Sequence, residues 1–200
     1  MLNPIIWLKE IDWRANSYIC GNILFDASQP VSVVDPYKDQ IDTIIITHGH
    51  YDHIANIQNL VELCDAKVYI GEYDYDFLSK RELSLSDHFN GRLQDISASI
   101  LHDGDQIGEY KVIHTPGHTR GSICLYRDID GALITGDTIF PGGSFGRTDL
   151  PTGNNSDLMH SIDKLATLHI NSIWCGHEPP VPSDAMRHIL LSQSEIHKYG

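Results

Sequence analysis

One short segment of this chain carries three histidines and an aspartate within six residues, in the order His48, His50, Asp52 and His53. Imidazole and carboxylate groups are preferred ligands of zinc and of ferrous iron. The apolar run at residues 44–46 predicts a buried strand, after which His48 and His50 point the same way in extended chain. Asp52 and His53 are predicted to follow on the first residues of a helix. The segment therefore predicts the start of two metal sites; the alternative is a polar loop with solvated histidines.

The remaining pattern places strands and helices in alternation. Strands are predicted at residues 17–25, 31–34, 43–47, 67–70, 111–115, 122–127, 132–135 and 172–175. Helices are predicted at residues 52–64, 71–80 and 157–168 and from Ser183 toward Ile196, and residues 81–100 are expected to form a loop or lid. Strand groups that are each followed by helices favour a layered α/β architecture over an all-β barrel. Folds of this class place their sites at strand ends.

Three more polar residues each follow a predicted strand: His118, Asp137 and His177. Each alone is ambiguous, because histidine and aspartate are common in surface turns. Together with the first segment they make five histidines and two aspartates. These divide into two sites, with His48, His50 and His118 for one metal, Asp52, His53 and His177 for the other, and Asp137 as a bridge between them. Each metal would keep a position open for water, as catalytic sites do.

The charge of the chain limits its partners. Its formal net charge is −13, from 14 basic and 27 acidic residues, and two bound dications would offset up to four of those charges. No basic stripe is visible, which argues against a nucleic acid or a membrane surface as partner. The four cysteines form no Cys-x-x-Cys motif and are expected to be reduced. The first ten residues lack the pattern of a signal peptide, so a cytoplasmic location is expected; the oligomeric state, including a homo-oligomer, stays open.

The order His-x-His-x-Asp-His, then His, Asp and His, resembles the metallo-β-lactamase superfamily over nearly the whole chain. The resemblance implies an α/β fold, the αββα four-layer sandwich, with residues 1–200 as a single domain. It also implies two divalent metal ions, with zinc expected and iron or manganese as alternatives. Asp35, which closes a predicted strand, is similar to the first motif of that family. The resemblance therefore implies that the Asp35 carboxylate contacts a metal-binding histidine without binding the metal itself.

The segment from Asp137 to Leu150 resembles the branch that contains glyoxalase II-like and persulfide dioxygenase-like enzymes. This resemblance implies that Arg147 lines the substrate pocket; an ordinary solvated arginine is the alternative. The helical domain that holds glutathione in glyoxalase II enzymes has no counterpart in the sequence. The resemblance is therefore to single-domain relatives of that enzyme.

The function implied is metal-dependent hydrolysis of a small thioester, of the hydroxyacylglutathione type. A metal pair lowers the pKa of water to about 7 and so would supply a bridging hydroxide that attacks the carbonyl. Asp52 is predicted to orient that hydroxide or relay a proton, in addition to binding metal. Two alternatives stay open: a persulfide dioxygenase with one iron, and a lactone or β-lactam hydrolase.

Overall fold

The computed structural model describes residues 2–93 and 95–198, which form two β-sheets. The strands of the first sheet lie in chain order: β1 (Ile5–Leu8), β2 (Ser17–Cys20), β3 (Ile23–Phe25), β4 (Thr43–Ile46), β5 (Lys67–Gly71) and β6 (Ala98–Leu101). The strands of the second are β7 (Gln106–Ile107), β8 (Tyr110–His114), β9 (Ile123–Arg127), β10 (Ala132–Gly136) and β11 (Ser172–Cys175), in the spatial order β11, β10, β9, β8, β7.

Helices cover the outer face of each sheet. The α-helices of the described residues are α1 (Val31–Val34), α2 (Tyr51–Ile54), α3 (Ile57–Cys64), α4 (Arg81–Ser84), α5 (Asn155–Ala166) and α6 (Met186–Ile196). Short 3₁₀ helices span Asp35–Gln40, Glu72–Leu78, Ser86–Phe89 and Pro141–Gly143. Helix α5 begins where the Asn154 side chain accepts a hydrogen bond from the backbone N–H of Asp157, which is the usual role of asparagine at this position. None of the helices in the described ranges is long and apolar enough to cross a membrane.

Alternation along the strands builds three apolar cores. In β4, Ile44 and Ile46 pack toward the helices of the first sheet, whereas Ile45 packs toward the second sheet. In β9, Leu125 packs between the sheets and Cys124 packs toward α5 and α6. Successive side chains of a strand point to opposite faces, so each sheet is buried on both faces. The predicted αββα four-layer sandwich is confirmed.

Strand direction brings the predicted ligands to one edge. Strands β3, β4, β5 and β6 are parallel to one another in the first sheet, whereas β2 is antiparallel to β3. In the second sheet β10 is parallel to β11 and antiparallel to β9, and β9 is antiparallel to β8. The carboxyl ends of β8, β10 and β11 therefore share one edge of the second sheet.

Two predicted strands and two predicted helices differ in the structure. The predicted helix at residues 52–64 is divided into α2 and α3, and the one at residues 71–80 is the 3₁₀ helix Glu72–Leu78. Residues 31–34 form α1 instead of a strand. A four-residue apolar run has no periodicity that separates a buried strand from a buried helix turn. Residues 17–25 form a hairpin of β2 and β3 instead of one strand. Of the segment 81–100, residue 94 lies outside the described residues, and the rest includes α4, the 3₁₀ helix Ser86–Phe89 and the start of β6.

Candidate metal centre

The seven predicted ligand side chains converge at the carboxyl ends of β4, β8, β10 and β11. His48 and His50 follow β4, and Asp52 and His53 lie in α2. The other three follow strands of the second sheet: His118 after β8, Asp137 after β10 and His177 after β11. The site is thus assembled from both sheets.

Three groups of three side chains have the spacing of metal ligands. The ligand atoms of His48, His50 and His118 lie within 4.8 Å of one another, and so do those of Asp52, His53 and His177. His50 Nδ1 is 2.9 Å from His118 Nε2, and His177 Nε2 is 3.1 Å from Asp52 Oδ2. Neighbouring ligand atoms around a tetrahedral zinc lie about 3.3 Å apart, since Zn–N bonds are about 2.0–2.1 Å. Two of the groups have the members that the sequence predicts for one metal each, and the third, formed by His48, His53 and Asp137, crosses that division, which therefore stays a prediction.

Asp137 lies between the two groups. Its Oδ2 is 3.6 Å from His118 Nε2 and 3.6 Å from His177 Nε2, one atom of each group. Its Oδ1 is 3.3 Å from His53 Nε2. A carboxylate with one group on each side has the position required of a bridge.

Several polar atoms of the site are buried without a hydrogen-bond partner among residues 2–93 and 95–198. They are His48 Nε2, His50 Nε2, His53 Nε2 and Asp137 Oδ1. Each buried polar atom left unpaired costs about 1–3 kcal/mol. Three of them belong to one group with ligand spacing, His48, His53 and Asp137, and are therefore expected only where a ligand completes them. His50 instead faces His118 with its other ring nitrogen, Nδ1. Imidazole nitrogens and carboxylate oxygens fit a divalent cation of the zinc or iron type.

The outward-facing nitrogens of four rings are occupied. His53 Nδ1 donates to Asp26 Oδ2 at 2.8 Å, and His118 Nδ1 donates to the Arg147 carbonyl at 2.8 Å. His48 Nδ1 lies 3.2 Å from Thr47 Oγ1. A hydrogen bond at Nδ1 fixes the ring and directs Nε2 toward a metal. These rings are therefore oriented for binding before any cation arrives.

The fourth ring, His177, is held by the N-terminal part of the chain. His177 Nδ1 is 3.4 Å from Glu10 Oε2. Asn16 accepts from the backbone N–H of Glu10 at 2.8 Å and donates to the carbonyls of Cys175 and Glu178, at 3.0 and 2.8 Å. Asn16 thus joins the segment that carries Glu10 to both sides of the His177 turn.

Burial lowers the pKa values of the site histidines, and nearby carboxylates raise them. Burial lowers the pKa of His50 to about 3 and the pKa of His48 well below its ordinary value. Burial also opposes protonation of His53 and His177, but the nearby carboxylates together outweigh it, Asp137 and Asp26 at His53 and Asp137 and Asp52 at His177. The pKa of His53 is therefore raised, and that of His177 reaches about 9. The neutral His48 and His50 are in the form that binds metal.

The structure corrects one predicted site residue. Asp35 lies exposed on the surface, where its carboxylate pairs with Lys38 at 3.0 Å. The carboxylate that contacts a predicted ligand histidine is instead that of Asp26, which is 3% exposed and follows β3. Asp26 accepts from the Thr47 backbone N–H at 2.8 Å and from Thr47 Oγ1 at 2.9 Å, in addition to His53. The sequence feature that could have identified Asp26 is its position directly after a predicted strand.

A cleft of about 560 Å³ opens above the two groups. Arg147 lines it, as the resemblance implied, but its guanidinium donates two hydrogen bonds of 2.7 Å to Asp149. His88, for which the sequence indicated no role, also lines the cleft. Asp52 lines the cleft as well as bonding His177.

Comparison with known proteins agrees with this geometry. The family model described as the metallo-beta-lactamase superfamily matches residues 21–177. The chain belongs to this superfamily. A probable metallo-hydrolase of Bacillus subtilis, YqgX, is 35% identical over 144 residues, which is 68% of each chain. The hydroxyacylglutathione hydrolase of Maricaulis maris is 34% identical over 158 residues, 76% of this chain and 54% of that relative.

A solved structure supports the fold. The protein TTHA1623, determined in a di-iron-bound form, superposes with a TM-score of 0.81 over 95% of this chain and 96% of that one, at 22% identity. At this identity the likeness concerns the fold. Membership of the superfamily and the names of the curated relatives support a metal-dependent hydrolase.

Proposed function

We propose that this protein is a hydrolase with two divalent cations that cleaves a small thioester. The observation that carries the proposal is the pair of three-residue ligand groups with Asp137 between them, at the floor of an open cleft. The relatives named hydroxyacylglutathione hydrolase support a thioester as the substrate.

The ligands are assigned as predicted from the sequence. His48, His50 and His118 would hold one cation, Asp52, His53 and His177 would hold the other, and Asp137 would serve both. When bound, divalent cations of this kind polarise a carbonyl and lower the pKa of water to about 7. Zinc is the expected metal, and iron or manganese suits the same donor set.

The side chains of the cleft perform the remaining tasks. The Asp52 carboxylate, which lines the cleft, would accept a proton from the attacking water. Asp26 keeps His53 in one orientation through the reaction. A thiol pKa of about 8.5 means that the leaving sulfur needs little protonation. Hydrolysis joins a water oxygen to the acyl carbon and breaks the C–S bond, releasing a carboxylate, a thiol and one proton.

Elemental analysis of the purified protein, together with a panel of thioester, lactone, β-lactam and persulfide substrates, tests the proposal. About two metal ions per chain and turnover of thioesters are expected. One iron per chain with oxygen consumption on persulfides would replace the proposal by a persulfide dioxygenase. Turnover of lactones or β-lactams without thioesters would keep the metal pair and change the substrate.

Ligand variants test the assignment. His50→Ala and Asp137→Ala are expected to abolish activity and lower the bound metal while the circular dichroism spectrum of the fold is kept. His160→Ala, at an exposed histidine of α5, is the matched control and is expected to keep both. Full metal content and turnover in Asp137→Ala would contradict the assignment.

A further inference from the structure

The cleft above the candidate metal centre has an apolar wall. Its apolar lining residues are Leu85, Phe89, Phe140 and Leu150. Leu85 and Phe89 come from the segment around the 3₁₀ helix Ser86–Phe89, and Phe140 and Leu150 come from the loop between β10 and α5. Two separate segments thus place apolar side chains beside the same centre.

The charged groups of the cleft are already occupied. Arg147 is bound to Asp149 through two charge-assisted hydrogen bonds, so its charge is balanced within the protein. Asp52, Asp137 and the three lining histidines other than His88 belong to the assigned ligand groups. Among the described lining residues, therefore, His88 is the only polar side chain that belongs neither to the Arg147–Asp149 pair nor to the predicted ligand groups. Apart from the cations that the ligand groups would hold, the described lining residues offer a charged substrate few partners.

The wall at Phe89 is fixed by aromatic packing. The ring of Phe89 stacks on Trp13 with centroids 4.5 Å apart, and Tyr51 stacks 5.9 Å away. The Arg14 guanidinium lies over the Trp13 ring, 4.7 Å from the ring centroid. A side chain at Gly91 would overlap the Tyr51 ring, so the backbone there lies directly against it. The wall is therefore formed before substrate binds.

We propose that the substrate carries an uncharged, apolar acyl group that packs against Leu85, Phe89, Phe140 and Leu150. This inference rests on the proposed thioester hydrolysis and specifies its substrate class. Apolar burial contributes in proportion to the area removed from water, which for each methylene corresponds to roughly a four-fold gain in kcat/KM. A charged acyl group gains no such contribution and loses hydration.

The test is a series of thioesters of one neutral thiol, N-acetylcysteamine, with acyl chains from acetyl to octanoyl and with succinyl as the charged partner of butanoyl. With the metal-loaded protein, kcat/KM is expected to rise by roughly four-fold per methylene until the cleft is filled. The succinyl thioester is expected to be hydrolysed at least about ten-fold less efficiently than the butanoyl one. Equal kcat/KM across the series, or a preference for succinyl, would overturn the inference and leave thioester hydrolysis in place.

Substitutions in the apolar wall test whether its side chains cause the dependence of kcat/KM on acyl chain length. Phe89→Asn and Phe140→Asn are expected to flatten the dependence on chain length, whereas Phe89→Leu and Phe140→Leu keep most of it. Ile129→Asn makes the same kind of change at a side chain that is 73% exposed in the β9–β10 turn, and it should leave the series unchanged. An unchanged slope in both asparagine variants of the wall would also overturn the inference.

Failure of the proposed thioester hydrolysis can be distinguished from failure of the proposed acyl preference. If the protein carries its metals and hydrolyses no thioester, the proposed function is wrong, and the acyl preference is read from binding of acetate through octanoate by calorimetry. Affinity that rises with chain length in the wild type and not in Phe89→Asn supports the apolar wall. Equal affinities across the carboxylates overturn it.

Discussion

Carboxylates outside the predicted ligand set hold histidine rings of the site. Asp26 accepts from Thr47 and from His53 Nδ1, and Thr47 in turn contacts His48. A single buried carboxylate therefore orients one ring directly and a second through a hydroxyl group. The backbone at Asp26 has a φ of +59°, which asparagine and aspartate tolerate better than most residues.

Replacing Asp26 by asparagine is expected to lower metal affinity by about 10–100-fold with the fold retained, because the amide cannot replace the charged acceptor of His53. Asparagine accepts the same φ, so the variant tests the carboxylate and not the backbone. Competition with a chromophoric chelator measures the affinity. Asp35→Asn is the control, since Asp35 contacts Lys38 on the surface. A larger loss in Asp35→Asn than in Asp26→Asn would contradict this role.

At the scale of elements, one buried carboxylate joins the loops that follow β4 and β8. Asp74, in the 3₁₀ helix after β5, accepts from the Gly49 N–H at 2.9 Å, from Thr119 Oγ1 at 2.7 Å and from the Gly121 N–H at 2.8 Å. Gly49 lies between two predicted ligands, and Thr119 follows a third. Burial raises the pKa of Asp74 although these donors oppose it. The relative position of the loops therefore depends on this residue.

Asp74→Asn is expected to lower the free energy of unfolding by about 1–3 kcal/mol, because an amide offers one acceptor oxygen where the carboxylate uses two. Urea denaturation of the metal-free protein measures the change. Asp76→Asn, two residues along the same 3₁₀ helix, is the comparison. Asp76 pairs with Arg120 and Lys80 at a more exposed position, where ion pairs contribute about 0–1 kcal/mol. A smaller loss in Asp74→Asn than in Asp76→Asn would refute the role of Asp74.

At the scale of the whole molecule, the site joins the two sheets. His48 to His53 extend from the first sheet, and His118, Asp137 and His177 extend from the second. Between the sheets lies an apolar core that includes Phe25, Ile45 and Leu125. A cation bound by ligands of both sheets is held only by the folded protein, so its binding free energy stabilises the fold.

Loading with zinc is therefore expected to raise the Tm. One site with free metal at about 1,000 times Kd stabilises the native state by about 4.1 kcal/mol. For a chain of this size that corresponds to a rise of roughly 8–16 °C in Tm. Differential scanning calorimetry with zinc and with a chelator measures it, and Asp137→Ala should show a smaller shift. Identical melting with and without metal would exclude the centre.

The sequence located the seven side chains that the structure brings together, and their assignment as metal ligands stays a prediction. Each follows a strand that its own apolar run identifies, and the spacing of His48, His50, Asp52 and His53 is local. The layered α/β class and helix α5 were predictable for the same reason, since periodicity is a property of short stretches of chain. The wrong strand at residues 31–34 led to the wrong choice of Asp35 over Asp26.

The tertiary structure alone decided which residues support the site. Asp26 meets His53 across 27 positions, Asp74 meets Thr119 across 45, and Glu10 meets His177 across 167. Such partners are set by which strands lie side by side, and no local pattern encodes a hydrogen bond between distant segments. The apolar wall around Phe89 has the same origin, because its stacking on Trp13 depends on how two loops pack. Local order determined which side chains are predicted as ligands, and packing over long distances determined how those side chains are held and which residues line the cleft.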